Sequence, residues 1–117
     1  MHELSVCQAL IAQVEQIAAQ HAATGVKSVH LRLGPLSGVE PQLLQDAYPI
    51  ACAGSIAAES VLLIDLAPLK VKCQTCGAET QASPNRLLCG QCGDYHTQVV
   101  SGDEMLLMSV ELIQAQA

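Results

Sequence analysis

Tryptophan and phenylalanine are absent from this 117-residue chain, and only two tyrosines, Tyr48 and Tyr95, represent the aromatics. A chain that is half apolar must then build its core from Leu, Val, Ile and Ala. Basic residues are also scarce: five Lys and Arg stand against eleven Asp and Glu, a formal charge of −6. That balance excludes a nucleic-acid binder, which needs clustered cations for phosphate. No apolar run approaches the roughly 20 residues of a membrane span. A basic leader region is missing too, with His2 and Glu3 at the very start, so a signal peptide is not expected and a reducing, cytoplasmic setting fits. The length suits one small domain plus an appendage rather than two full cores.

What the chain does have is cysteine in a pattern. Cys73-Gln74-Thr75-Cys76-Gly77 and Cys89-Gly90-Gln91-Cys92-Gly93 are two Cys-x-x-Cys pairs with twelve residues between them, each followed by glycine. In a tight turn both sulfurs of such a pair reach one ion, and the glycine permits a positive φ. Two facing turns supply four thiolates to a tetrahedron, which suits structural Zn²⁺ with no open position for water. A rubredoxin-like iron site would use the same turns. Two disulfides are the other reading, but they would leave Cys7 and Cys52 over in a chain with no secretory features. Lys70, Lys72 and Arg86, three of the five cations, flank the cluster and offset the charge of a metal bound by four thiolates.

Hydrophobic periodicity divides the remainder. Leu4, Cys7, Leu10, Ile11, Val14, Ile17 and Ala18 form one stripe of a helix running from Glu3 to about Ala23, ended by Gly25. The lone Cys7 reads as a small core residue. Val29 to Leu33 alternates like a half-buried strand, with His30 on its polar face, and Gly34-Pro35 breaks it. Ser37 to Glu40 reads either as a capping box or as a Glu40 cap with Pro41 at the first helical position. A second helix is expected from about Pro41 to Cys52, burying Leu43, Leu44, Ala47, Ile50 and Ala51, with Pro49 kinking or shortening it and Gly54 ending it. Val61 to Leu66 reads as a strand covered on both faces. Glu104 to Ile113 reads as a final strand whose core face is Leu106, Met108, Val110 and Leu112. The predicted fold is therefore α/β: a small three-stranded sheet with two helices plus an inserted zinc-ribbon module. Residues 1–68 and 101–117 would form the discontinuous α/β domain and 69–100 the zinc-binding module. Free edges on so small a sheet invite a homodimer by strand pairing or swapping.

The first three residues carry a second metal chemistry. A bulky second residue such as His2 blocks removal of the initiator methionine, so the free amine belongs to Met1. That amine, the His2 amide and the His2 imidazole close chelate rings of the planar nitrogen type that Ni²⁺ or Cu²⁺ favours. Glu3 can add a carboxylate or backbone contact, with Glu40 an outer partner. On spacing alone, His2 and Glu3 equally fit an ordinary helix start. Nothing suggests an enzyme: Cys7 and Cys52 lie on apolar faces and no Ser/His/Asp arrangement is visible.

The stretches Met1 to Gln8 (Met-His-Glu-Leu-Ser-Val-Cys-Gln) and Leu33 to Glu40 (Leu-Gly-Pro-Leu-Ser-Gly-Val-Glu), with the paired Cys-x-x-Cys, resemble the HypA/HybF family over essentially the whole chain. The resemblance implies a nickel metallochaperone of [NiFe]-hydrogenase maturation. It implies nickel held through His2 and its neighbours Met1 and Glu3, and structural zinc on Cys73, Cys76, Cys89 and Cys92. It further implies a HypB-type GTPase and the hydrogenase large-subunit precursor as partners. The first helix and the Gly34 to Glu40 loop are the expected docking surface. Many members carry histidine directly after the last cysteine or three residues on, where this chain has Gly93 and Tyr95; His96 is the available substitute as an additional nickel ligand. Outside the family, the cysteines alone fit a rubredoxin-like electron carrier or a zinc-ribbon adaptor.

Overall fold

The structure, a computed structural model, describes residues 2–115. The elements run α1 (His2–Gln20), β1 (Ala23–Leu33), α2 (Pro41–Cys52), β2 (Val61–Leu66), β3 (Lys70–Cys73), β4 (Glu79–Gln81), β5 (Thr97–Ser101) and β6 (Met105–Gln114). They make two three-stranded sheets, of order β2-β1-β6 and β4-β3-β5. The chain divides into two compact units, one of Met1–Leu31, Val39–Ile64 and Leu107–Ala117 and one of Arg32–Gly38 and Asp65–Leu106. We refer to them as unit 1 and unit 2.

In unit 1, α1 buries Cys7, Leu10, Ile11, Val14 and Ala18, the predicted stripe narrowed at its ends. Its C-terminus differs from expectation. The His21 amide donates to the Ile17 and Ala18 carbonyls at 3.3 and 3.2 Å, and Ala22 takes the left-handed turn at φ 52°. An alanine thus fills a position usually given to glycine. Gly25, freed from that task, lies inside β1, where an added Cβ would press on the Ile113 side chain at 3.3 Å. The strand consequently begins six residues earlier than the alternation of Val29 to Leu33 suggests. Its buried positions are Val26, Val29, Leu31 and Leu33, so the alternation changes phase between Val26 and Val29 and hides the first half.

Helix α2 starts with Glu40 at the N-cap and Pro41 in the first turn; the Glu40 side chain makes no capping bond. The Leu44 amide donates to the Glu40 carbonyl at 3.0 Å. The helix keeps Pro49 within it and reaches Cys52, and Gly54 follows at φ 76°. Its core stripe is Leu44, Tyr48 and Cys52, not the broader set predicted. Leu43 and Ile50 are 51% and 70% exposed, while Ala47 and Ala51 are half-buried. Tyr48 displaces them because its ring is buried while its hydroxyl reaches the Ser60 hydroxyl at 2.6 Å, the partner a buried phenol requires. The Cys7 thiol donates to the Leu44 carbonyl at 3.5 Å, joining the two helices.

The strand order explains two further corrections. In the β2-β1-β6 sheet β1 is central, and β2 and β6 are edges. Strand β2 therefore buries Leu62 alone and leaves Val61, Leu63 and Leu66 exposed, rather than being covered on both faces. Strand β6 has no fully buried residue; Leu107, Val110 and Leu112 are half-buried, and Leu106 and Met108, expected in the core, are exposed. The Thr24 hydroxyl donates to the Ile113 carbonyl at 3.1 Å and the Ser28 hydroxyl to a Glu111 carboxylate oxygen at 3.3 Å.

Unit 2 is built on β3, which pairs antiparallel with β4 (Val71 opposite Thr80) and with β5 (Val71 opposite Val99). Val71 is fully buried between them. The Gly34–Pro35 turn closes onto the segment before β6 through backbone alone. The Gly34 amide donates to the Glu104 carbonyl at 2.9 Å and the Leu36 amide to the Gly102 carbonyl at 2.8 Å. A Cβ on Gly34 would meet the Gly102 carbonyl oxygen at 2.0 Å, and Gly102 itself sits at φ 113° against Leu69. Only glycine permits two backbones this close.

Candidate metal centre

The two Cys-x-x-Cys turns of unit 2 have matching internal hydrogen bonds. The Gly77 amide donates to the Cys73 carbonyl, and the Gly93 amide to the Cys89 carbonyl, each at 2.9 Å. Both glycines stand at φ 78°, as the sequence requires of them. The amides of Thr75 and Cys76 point at Cys73 Sγ, and those of Gln91 and Cys92 at Cys89 Sγ, all at 3.4 Å. These donors favour the thiolate. The Cys76 amide foremost, then that of Thr75, holds the Cys73 thiol below its usual range; the amides of Cys92 and Gln91 lower Cys89 to about 6. Cys92 moves the other way, pushed up to about 12: the Asp94 amide is the largest single influence and pulls it down, but the Cys73 thiol, burial and the Cys89 and Cys76 thiols together outweigh it.

All six cysteines are free thiols. The Cys73–Cys92 and Cys76–Cys89 sulfurs are each 3.6 Å apart, and the four sulfurs lie within 4.8 Å of one another. A disulfide needs about 2.05 Å, whereas a tetrahedron with Zn–S bonds of about 2.3 Å has edges of about 3.8 Å. The donor set and its spacing fit structural zinc. Cys73 and Cys89 are buried, with Cys76 and Cys92 facing outward.

A polar strap that the sequence reading did not identify joins the two turns. The Thr75 hydroxyl donates to the Asp94 carboxylate, and the other Asp94 oxygen faces His96 Nδ1 at 2.9 Å. The Thr75 hydroxyl, and next to it His96, hold the Asp94 carboxyl well below the ordinary range. The Cys89 amide donates to the Asp94 carbonyl and the Gln74 amide to the His96 carbonyl, at 2.9 and 2.8 Å. The only hint in the sequence is an Asp directly after the second turn's glycine, a residue type that bonds nearby backbone. His96 is thus engaged through Nδ1 and lies outside the four-sulfur group. The Tyr95 ring stacks beside it, centroids 4.1 Å apart, and is 72% exposed.

The other predicted site residues gather in unit 1. His2 and Glu3 occupy the first turn of α1, with His2 Nε2 3.8 Å from Glu3 Oε2. The Glu40 amide donates to that same oxygen at 3.3 Å. This donor is the main reason the Glu3 carboxyl sits below its usual range; its own amide and His2 add to it. Glu40 therefore enters the arrangement by its backbone. Met1 lies outside the described residues.

Fold and cluster together define a small α/β protein carrying an inserted four-cysteine zinc-ribbon module. The family described as hydrogenase/urease nickel incorporation, metallochaperone, HypA matches residues 1–112, and the chain belongs to it. A hydrogenase maturation factor HypA of Nitrosospira multiformis is 58% identical over 113 residues, covering 97% of this chain and 98% of its own. The factor of the same name from Shewanella oneidensis is 44% identical over 116 residues, covering 99% and 98%. Among solved structures, that of a HypA protein superposes with a TM-score of 0.74 at 25% identity, over 98% of each chain. The solution structure of the Ni metallochaperone HypA from Helicobacter pylori gives 0.69 at 23%, over 97% of this chain and 98% of that one, a likeness of fold. The family is one of metallochaperones, not enzymes. No helix among the described residues is long and apolar enough to cross a membrane.

Proposed function

We propose that this chain carries Ni²⁺ for maturation of a [NiFe]-hydrogenase, with nickel held at its N-terminus and zinc held structurally. The nickel ligands would be the Met1 amine, the His2 amide and imidazole, and a contribution from Glu3. The zinc ligands would be Cys73, Cys76, Cys89 and Cys92, in a module of residues 69–100 inserted in an α/β domain of residues 1–68 and 101–117. Maturation requires other factors; a HypB-type GTPase and the hydrogenase large-subunit precursor are the partners this reading assigns, in the cytoplasm, with a homodimer through free sheet edges as the self-association it allows. The electron-carrier and adaptor readings, which rest on the cysteines alone, yield to the family assignment.

The observation that supports this most is the Glu3 carboxylate set between the His2 imidazole and the Glu40 amide. It anchors the residue beside the histidine to the start of α2 while the His2 side chain stays 57% exposed. Planar nitrogen donors select nickel and four thiolates select zinc, so geometry sorts the metals. The amine and amide shed protons on binding, and nickel affinity falls as pH drops. Glu40 and His96 remain as an outer-shell partner and an additional ligand.

Isothermal titration of untagged protein tests the assignment against His2→Ala and against a one-residue N-terminal extension that keeps His2 but displaces the amine. Both variants are expected to lose stoichiometric nickel and retain full zinc. Native nickel affinity in the extended protein would remove the amine from the ligand set and move the search to His96.

A further inference from the structure

Helices α1 and α2 leave a groove of about 250 Å³ in unit 1, lined by Glu3, Leu4, Leu43, Asp46, Ala47 and Ile50. The α2 members Leu43, Ala47 and Ile50 recur at i, i+4 and i+7, a second apolar stripe beside the buried one of Leu44, Tyr48 and Cys52. A helix with apolar residues on two sides is ordinarily covered on both. Here Leu43 and Ile50 stand 51% and 70% exposed.

The charge around the groove chooses what covers it. Glu3 and Asp46 supply its polar wall, and neither helix contains a Lys or Arg; the chain's five lie at positions 27, 32, 70, 72 and 86. A second copy meeting this surface with its own would set Glu3 and Asp46 against like charges, which disfavours such pairing. An anionic membrane is repelled for the same reason. We propose that the groove docks an amphipathic helix of a partner protein, with apolar residues at i, i+3 or i+4 and i+7 entering between Leu4, Leu43 and Ile50 and Lys or Arg flanking them toward Glu3 and Asp46. Helix-in-groove recognition has this form. The groove does not depend on nickel. Only its consequence rests on the nickel reading: a helix seated against Glu3 lies beside His2, so that the partner covers the place where cargo is held.

The test uses the untagged full chain and an 18-residue synthetic peptide of Leu and Lys with leucines at helical spacing. Controls are the peptide with Glu replacing Lys and a scrambled Leu–Lys peptide. Titration with amide chemical-shift mapping should show one-to-one binding that shifts the amides of 43–50, with both controls at least tenfold weaker. Leu43→Ser/Ile50→Ser should lose tenfold or more in affinity with unchanged helical signal, and Asp46→Lys should favour the Glu peptide. Binding unaffected by the double substitution, or shifts centred elsewhere, overturns the proposal. So does a dimer in sedimentation that Leu43→Ser/Ile50→Ser dissolves, since the occupant is then a second copy. Nickel stoichiometry keeps the two readings apart: lost peptide binding with nickel intact in Leu43→Ser/Ile50→Ser supports the groove, and native peptide binding by a His2→Ala chain supports its independence from the N-terminal site.

Discussion

The backbone amide of Glu40 donates to Oε2 of Glu3 across 3.3 Å, tying the residue before α2 to the first turn of α1. A single carboxylate thereby fixes the entry of the second helix and stands 3.8 Å from the His2 imidazole. Positioning of the proposed cargo site and docking of the two helices are coupled through Glu3.

That coupling sets a pH dependence. The Glu40 amide depresses the Glu3 carboxyl in the folded chain, so the unfolded chain takes up the proton first. The contribution is complete above the unfolded value of about 4.3 and is lost as pH falls through the lower folded value. Urea midpoints measured from pH 7 to pH 3 should therefore drop less steeply for Glu3→Gln than for the native chain. Parallel acid slopes for the two proteins would remove Glu3 from the account.

Gly34→Ala should destabilise unit 2 by about 2–4 kcal/mol, combining overpacking with backbone displacement. The clash is with the carbonyl of Gly102, at 2.0 Å from the added Cβ, and a backbone carbonyl has no rotamer to escape into. Equilibrium urea unfolding checks the magnitude; a loss under 1 kcal/mol would mean that the turn reorganises freely.

Zinc should be lost from Cys76→Ser and Cys89→Ser, loosening residues 69–100 while far-UV helical signal from α1 and α2 persists. Metal analysis at full occupancy in both variants contradicts the four-thiolate assignment. Asp94→Asn tests the strap at finer grain. It retains zinc but weakens the Thr75 and His96 contacts, so transfer to a colorimetric chelator should be about 10-fold faster, within the range for supporting residues at metal sites. An unchanged rate confines Asp94 to a passive surface role.

Local chemistry was legible in the sequence, and long-range competition was not. The two cysteine turns follow from spacing and glycine alone, since their hydrogen bonds close within five residues. The stripe of α1 and the bounds of α2 and β2 were also readable. The choice of core face on α2 was not: Leu43 and Ile50 outrank Tyr48 in hydropathy, yet Tyr48 wins its place through Ser60, twelve residues away. The edge status of β2 and β6 is a property of strand order, invisible to a period-two pattern. Thr75 and Asp94 are nineteen positions apart, a separation that no local pattern connects. At the end of α1, Ala22 rather than Gly25 takes the left-handed residue, because Gly25 accommodates Ile113 instead.

Tyr48 is buried within unit 1 and Tyr95 stands open to solvent in unit 2, and the chain holds no tryptophan. Each unit thus contains one intrinsic fluorophore, with no indole to drain its emission by energy transfer. A soluble quencher such as iodide reaches Tyr95 at once and Tyr48 only when unit 1 opens. Opening of unit 1 can therefore be followed in unlabelled native protein as the gain of a second quenchable tyrosine, with Tyr95 as an internal reference already open to water.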